Sequence, residues 1–232
     1  GIFFKPDGTS FYVQGQSVAD RYVYQYNMTT AWNISTASYA SKSLSTSEDN
    51  EPLGVFFKPD GTKAFVTGEQ NDRVYQYGLS TAWDASTGSY DSVSFDFSAT
   101  ADYVRGLAFS SDGTKLFLAG HNADYKIFSY ALSTAWDLTT ASYVTSFSIS
   151  SQETNNRDVQ FSTDGTKMYI LGATQDTIFQ YSTVAYTQTL DLSTGGTFSF
   201  TPSGATTVSL TNPPASGTAV GFTLEVNNTG GY

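Results

Sequence analysis

Residues 56–68 read FFKPDGTKAFVTG. Two apolar, aromatic runs flank Pro59-Asp60-Gly61, which is a strong signal for a β-hairpin. Glycine accepts positive φ and aspartate caps its own turn, so a type I′-like turn is expected here. The same stretch occurs three more times, as FFKPDGTSFYVQG (3–15), AFSSDGTKLFLAG (108–120) and QFSTDGTKMYILG (160–172). The turn glycines Gly8, Gly61, Gly113 and Gly165 are separated by 53, 52 and 52 residues.

Working outward, a second marker follows each hairpin: VYQY (23–26), VYQY (74–77), IFSY (127–130) and IFQY (178–181). Between the two markers stands an aspartate, at 20, 72, 124 and 176. A third marker, TAWNISTASY (30–39), TAWDASTGSY (81–90) or TAWDLTTASY (134–143), completes the first three copies. In the fourth, Ser182-Thr183-Val184-Ala185-Tyr186 takes its place.

Each copy reads as four short strands. In the second copy these are 54–58, 63–67, 74–78 and a fourth carrying Tyr90, Val93, Phe95 and Phe97. One such sheet cannot bury both faces, so neighbours must stack into a continuous core. The expected fold is therefore all-β: a propeller-like array of four four-stranded blades, with rings such as Phe56, Phe65, Phe109 and Phe117 filling the wedges. The repeats are expected over 1–192, as 1–48, 49–101, 102–153 and 154–192. From 193 to 232 the markers stop and three alternating segments begin, which read as the start of a further β-domain. The chain opens inside a strand at Gly1 and stops after an apolar alternation, so it reads as a window cut from a longer polypeptide.

Composition narrows the function. Net charge is −10, with 21 acidic and 11 basic residues. This argues against a nucleic-acid surface, which needs Lys and Arg to displace counterions. The absence of Cys removes disulfides, thiolate catalysis and zinc fingers, and the single His removes any multi-histidine metal site. No run approaches 18 apolar residues, so no membrane-inserted helix is expected.

The structural turn residues are Asp7, Gly8, Asp60, Gly61, Asp112, Gly113, Asp164 and Gly165. Asp20, Asp72, Asp124 and Asp176 are expected to cap the next turn rather than form an acidic ring, and no metal or other cofactor is expected. The four arginines fall at phased positions: Arg21 and Arg73 after the repeated aspartate, Arg105 and Arg157 ahead of strand one. They suit Asp–Arg pairing, with an anion site near the channel as the functional alternative. Trp32, Trp83 and Trp136 are either buried anchors for a long loop or three equivalent glycan-stacking sites; the anchor role is expected. His121 has no repeat counterpart and no nucleophile beside it. Repeat-borne acids are explained by turns, so no catalytic residue is assigned.

The hairpin FSTDGTKMYILG (161–172) resembles the blade hairpin of propeller repeats related to the TolB-like and lactonase-like families. Lactonase-like members use acidic residues and a metal in the channel, and no non-repeating acid is recognised here for that role. The longer unit with YQY-x-LSTAWDLTTASY, together with residues 189–232, resembles tail-fibre and other structural proteins of marine phages. That resemblance implies a non-catalytic structural or host-adhesion component of a virion. Its expected partners are other virion proteins, a second copy of the chain or a host-surface glycan. The alternatives are a propeller enzyme of lactonase or glycosidase type, and a bacterial secreted or surface-layer binding module.

Overall fold

The computed structural model describes residues 1–17, 19–121, 125–184, 186–193, 197–200, 206–212 and 223–226. They divide into two compact units, Gly1–Gln180 and Tyr181–Tyr232. The first holds a four-bladed, mainly antiparallel β-propeller fold. Blade 1 is β1 (Ile2–Phe4), β2 (Ser10–Gln14), β3 (Tyr22–Met28) and β4 (Ala37–Ser45). Blade 2 is β5 (Pro52–Phe57), β6 (Lys63–Gly68), β7 (Arg73–Leu79) and β8 (Gly88–Asp96). Blade 3 is β9 (Val104–Phe109), β10 (Lys115–Gly120), β11 (Lys126–Leu132) and β12 (Ala141–Ser148). Strands pair in chain order within each sheet.

The fourth sheet has three strands: β13 (Asn156–Phe161), β14 (Lys167–Gly172) and β15 (Ile178–Ser182). The next strand, β16 (Tyr186–Asp191), instead pairs in parallel with β18 (Thr206–Thr211), while β17 (Thr197–Phe200) pairs in parallel with β19 (Thr223–Val226). The fourth copy lacks the T-A-W-D bend that returns the chain to its own sheet. The second unit consequently begins earlier than residue 193.

The hairpin turns differ from the type I′ expectation. Only the glycine takes positive φ, at +70°, +74°, +73° and +69° for Gly8, Gly61, Gly113 and Gly165. Each glycine N–H donates three residues back, for example from Gly61 to the Lys58 carbonyl at 2.8 Å. The aspartate just before it accepts from the threonine N–H two residues on, at 2.9 Å for Asp7 and 3.0 Å for Asp60, Asp112 and Asp164. A four-residue loop has room for a type I turn ending in a left-handed residue, so one positive φ suffices.

Blades join through one recurring contact. A ring on the second strand of one blade meets a ring on the first strand of the next: Tyr12 with Phe57 at 4.1 Å, Phe65 with Phe109 at 4.5 Å, Phe117 with Phe161 at 4.3 Å. Such pairs add roughly 0.5–1.5 kcal/mol each beyond the area they bury.

The tryptophan connection locks onto this frame. Each Trp N–H donates to the carbonyl of its own blade's turn glycine, Trp32 to Gly8 at 2.9 Å and Trp83 and Trp136 to Gly61 and Gly113 at 3.0 Å. The indole lies over that glycine so closely that a Cβ there would collide with it. Holding this pose puts the three tryptophans at φ 62°, 64° and 63°, a strained conformation for a bulky residue. The bend that follows is capped by Asn33, Asp84 and Asp137, each accepting from the N–H two residues on.

Candidate active site

The first strands of all four blades meet at one pocket of about 400 Å³, lined by Gly1, Leu53, Gly54, Arg105, Arg157 and Asp158 among others. The strands approach each other closely because glycine recurs at one position of the repeat. Residue 54 lies 53 after Gly1, residue 106 lies 52 after Gly54, and both are glycine. A Cβ on Gly54 would stand 2.7 Å from the Arg105 carbonyl oxygen, and one on Gly106 would stand 2.6 Å from the Asp158 Cα. In the fourth copy the same position, 52 further on, is Asp158. This is a non-repeating acid, which the turn markers alone do not reveal. The signal was present: aligning the starts of the first strands, as well as the turn markers, isolates it.

Asp158 accepts from the Val159 N–H at 2.9 Å and keeps only a partly open side toward the pocket. Burial pushes its pKa up to about 6, against the opposing pull of the hydrogen bonds from Val159 and Gln160.

A second repeat position also diverges beside the axis. Just after the second strand stand Gln16, Glu69, His121 and Ala173 in the four copies. Arg105 reaches back to the preceding blade and pairs with Glu69 at 3.7 Å, both side chains largely buried. Burial raises the Glu69 pKa, with Arg105 opposing. His121 is 8% exposed, and burial, then Arg105 and Arg157, lower its pKa, so its imidazole is neutral at pH 7. Its ring hydrogen-bonds the backbone of Asn156.

The other phased residues lie elsewhere. Arg73 pairs with Asp96 at 2.8 Å, not with the neighbouring Asp72, and Arg21 donates to Asn50 at 3.0 Å. Asp20 accepts from the Tyr24 hydroxyl at 2.6 Å, and Asp124 lies outside the described residues. Asp72 shares a smaller acidic recess of about 240 Å³ with Glu51, Glu69 and Asp102.

Trp83 and Trp136 are half-buried, stacked on Phe57 at 5.9 Å and on Phe56 and Phe65 at 6.3 Å. Trp83 is held further by Tyr12 of blade 1, whose hydroxyl donates to the Trp83 carbonyl at 2.7 Å. Trp32 departs from the expectation that all three behave alike, being 61% exposed. The rings that cover Trp83 and Trp136 come partly from the preceding blade, whereas among the described residues the Trp32 ring stacks with Phe4 of its own blade alone.

A channel metal does not suit these residues. Asp158 is the one carboxylate lining the axial pocket, two guanidinium groups share it, and no three His, Cys, Asp or Glu side chains converge on a point among the described residues.

No protein-family model matches the chain, and no curated protein sequence does. Solved structures do. The Pseudomonas aeruginosa periplasmic gluconolactonase PpgL aligns with a TM-score of 0.52 at 17% identity, covering 78% of this chain and 48% of that one. Two proteins provisionally designated 6-phosphogluconolactonases also match. The Bacteroides fragilis protein has TM-score 0.54, 13% identity and coverage of 78% and 49%. The Bacteroides uniformis protein has TM-score 0.51, 14% identity and coverage of 76% and 51%. The chain thus spans about half the length of these propellers. At such identities the likeness is one of fold.

These matches correct the phage reading. Each of these three propellers carries a gluconolactonase name and comes from a bacterium, and none is a tail-fibre protein. A non-catalytic virion component, virion and host-glycan partners and a place in the particle are set aside accordingly. The premise that no acid breaks the repeat falls with Asp158.

Proposed function

We propose that the chain forms part of a propeller hydrolase that opens a lactone ring in the axial pocket. The observation that carries this reading is Asp158: a carboxylate that breaks the repeat at the axis, raised in pKa, with Arg157 beside it in sequence and in the pocket lining. Catalytic acids and bases are tuned by burial in this way.

With a pKa of about 6, Asp158 is ionised at neutral pH and basic enough to take a proton from water. The water oxygen attacks the lactone carbonyl carbon, and the carbonyl electron pair moves onto oxygen. Arg157 stabilises that oxyanion. Collapse of the tetrahedral intermediate breaks the ring C–O bond, and the proton held on Asp158 passes to the departing alkoxide. The product is a hydroxy acid. A glycosidase would need two carboxylates flanking the scissile bond, and this pocket is lined by one. The periplasmic placement of PpgL supports a site of action outside the cytoplasm.

Proton release from glucono-δ-lactone tests the reading. The expected result is hydrolysis above the spontaneous rate, with activity rising through about pH 6. A rate equal to the spontaneous one from about pH 5 to 8 would overturn it.

A further inference from the structure

Beside the axial pocket, between blades 3 and 4, several buried polar groups stand without partners. Asn156 is wholly buried, and neither its amide nitrogen nor its amide oxygen is hydrogen-bonded among the described residues. The same holds for His121 Nδ1 and Arg105 Nε. These groups belong together: the His121 ring bonds the Asn156 backbone, and His121 feels the charges of Arg105 and Arg157. Arg157 takes part in no ion pair among the described residues; Glu69 pairs with Arg105 and also feels the charge of Arg157. Burying such groups unpaired is destabilising, so native proteins rarely tolerate several in one place without a ligand or water.

The repeat shows that this polarity is not needed for the fold. Asn156 stands where the third and second copies carry Val104 and Pro52, and Arg157 where the second carries Leu53. Apolar side chains build the same strand.

We propose that Arg105, Arg157, His121 and Asn156 form a recognition site for an anionic group, a carboxylate or a phosphate, carried by a hydroxylated small molecule. The guanidinium groups supply charge and donors matched to an oxyanion. The Asn156 amide adds both a donor and an acceptor, and neutral His121 offers Nδ1 as an acceptor for a ligand hydroxyl. This deepens the lactonase reading by giving the substrate a charged group, and it rests on that reading only for the ligand's sugar-like character.

Titration calorimetry of the protein with glucose, glucuronate, glucose 6-phosphate and inorganic phosphate tests it. The expected result is binding of glucuronate or glucose 6-phosphate at least about tenfold tighter than glucose. Preference for one of the two tells a carboxylate from a phosphate source. Arg157→Gln should weaken that binding about tenfold or more, and Asn156→Asp, which places a carboxylate in the site, should do the same. Asp158→Asn should retain it, so binding without hydrolysis separates this site from the catalytic proposal. Equal binding of glucose and the anions, inorganic phosphate binding as tightly as the sugar anions, or undiminished binding by both Arg157→Gln and Asn156→Asp would overturn it.

Discussion

The first-hairpin turns and the axial ends of the strands treat the same repeat in opposite ways. At the turns all four copies keep Asp-Gly-Thr, whereas at the axis equivalent positions read Gly1, Gly54, Gly106 and Asp158, or Gln16, Glu69, His121 and Ala173. The acids differ accordingly. Hydrogen bonds from Lys5 and then Thr9 hold Asp7 at about 2, and those from Ser110 and Thr114, and from Ser162 and Thr166, do the same for Asp112 and Asp164. At Asp60 a burial penalty is outweighed by hydrogen bonds from Lys58 and Thr62. Asp158 is pushed the other way by burial, to about 6. Residues the backbone demands are repeated, and residues that spend stability on a charge are not.

The hairpin turns should break hardest where the tryptophan is most engaged. Trp136→Ala should cost about 3 kcal/mol, the low end for a large aromatic because the ring is only half-buried, read from the denaturant midpoint. Gly113→Ala should cost about 2–3 kcal/mol, since it adds collision with the Trp136 indole to a positive φ. Gly165→Ala, where a Cβ meets open space, should cost only the backbone strain, about 1 kcal/mol. Trp32→Ala should change stability by less than about 1 kcal/mol, because its ring is mostly in solvent. Equal losses at Gly113 and Gly165, or at Trp136 and Trp32, would refute the indole's role as a cover.

The opposed shifts also give a pH dependence with two signs. The hairpin aspartates have folded pKa values of about 2, below the unfolded value of about 3.9. Their contribution is present above about pH 4 and is lost as pH falls toward 2. Asp158 has a folded pKa of about 6, above its unfolded value, so its contribution is lost as pH rises from about 4 to 6. Thermal melts of the protein and of Asp158→Asn should diverge through that window, the variant being the more stable above about pH 6.

The blades were legible because repeated markers reveal which positions the backbone constrains. Asp-Gly-Thr fixed the hairpins and T-A-W the return connection. The turn type was not legible, since loop length depends on which residues pair, Lys5 N–H with the Ser10 carbonyl, and not on the dipeptide alone. Nor was the exposure of Trp32, because the rings that cover its equivalents belong to a neighbouring blade. Asp158 hid for a related reason. Its neighbours in sequence, Arg157 and Val159, look like any strand, and only superposition on Gly54 and Gly106 marks it as a departure.

Asp158→Asn tests the central claim most directly, with lactone hydrolysis and unfolding measured on the same preparation at about pH 7. A base at the axis predicts a rate roughly 100-fold lower or more, together with stability equal to or above that of the parent protein. Hydrolysis at the parental rate in a folded variant would contradict the assignment of chemistry to the residue that breaks the repeat.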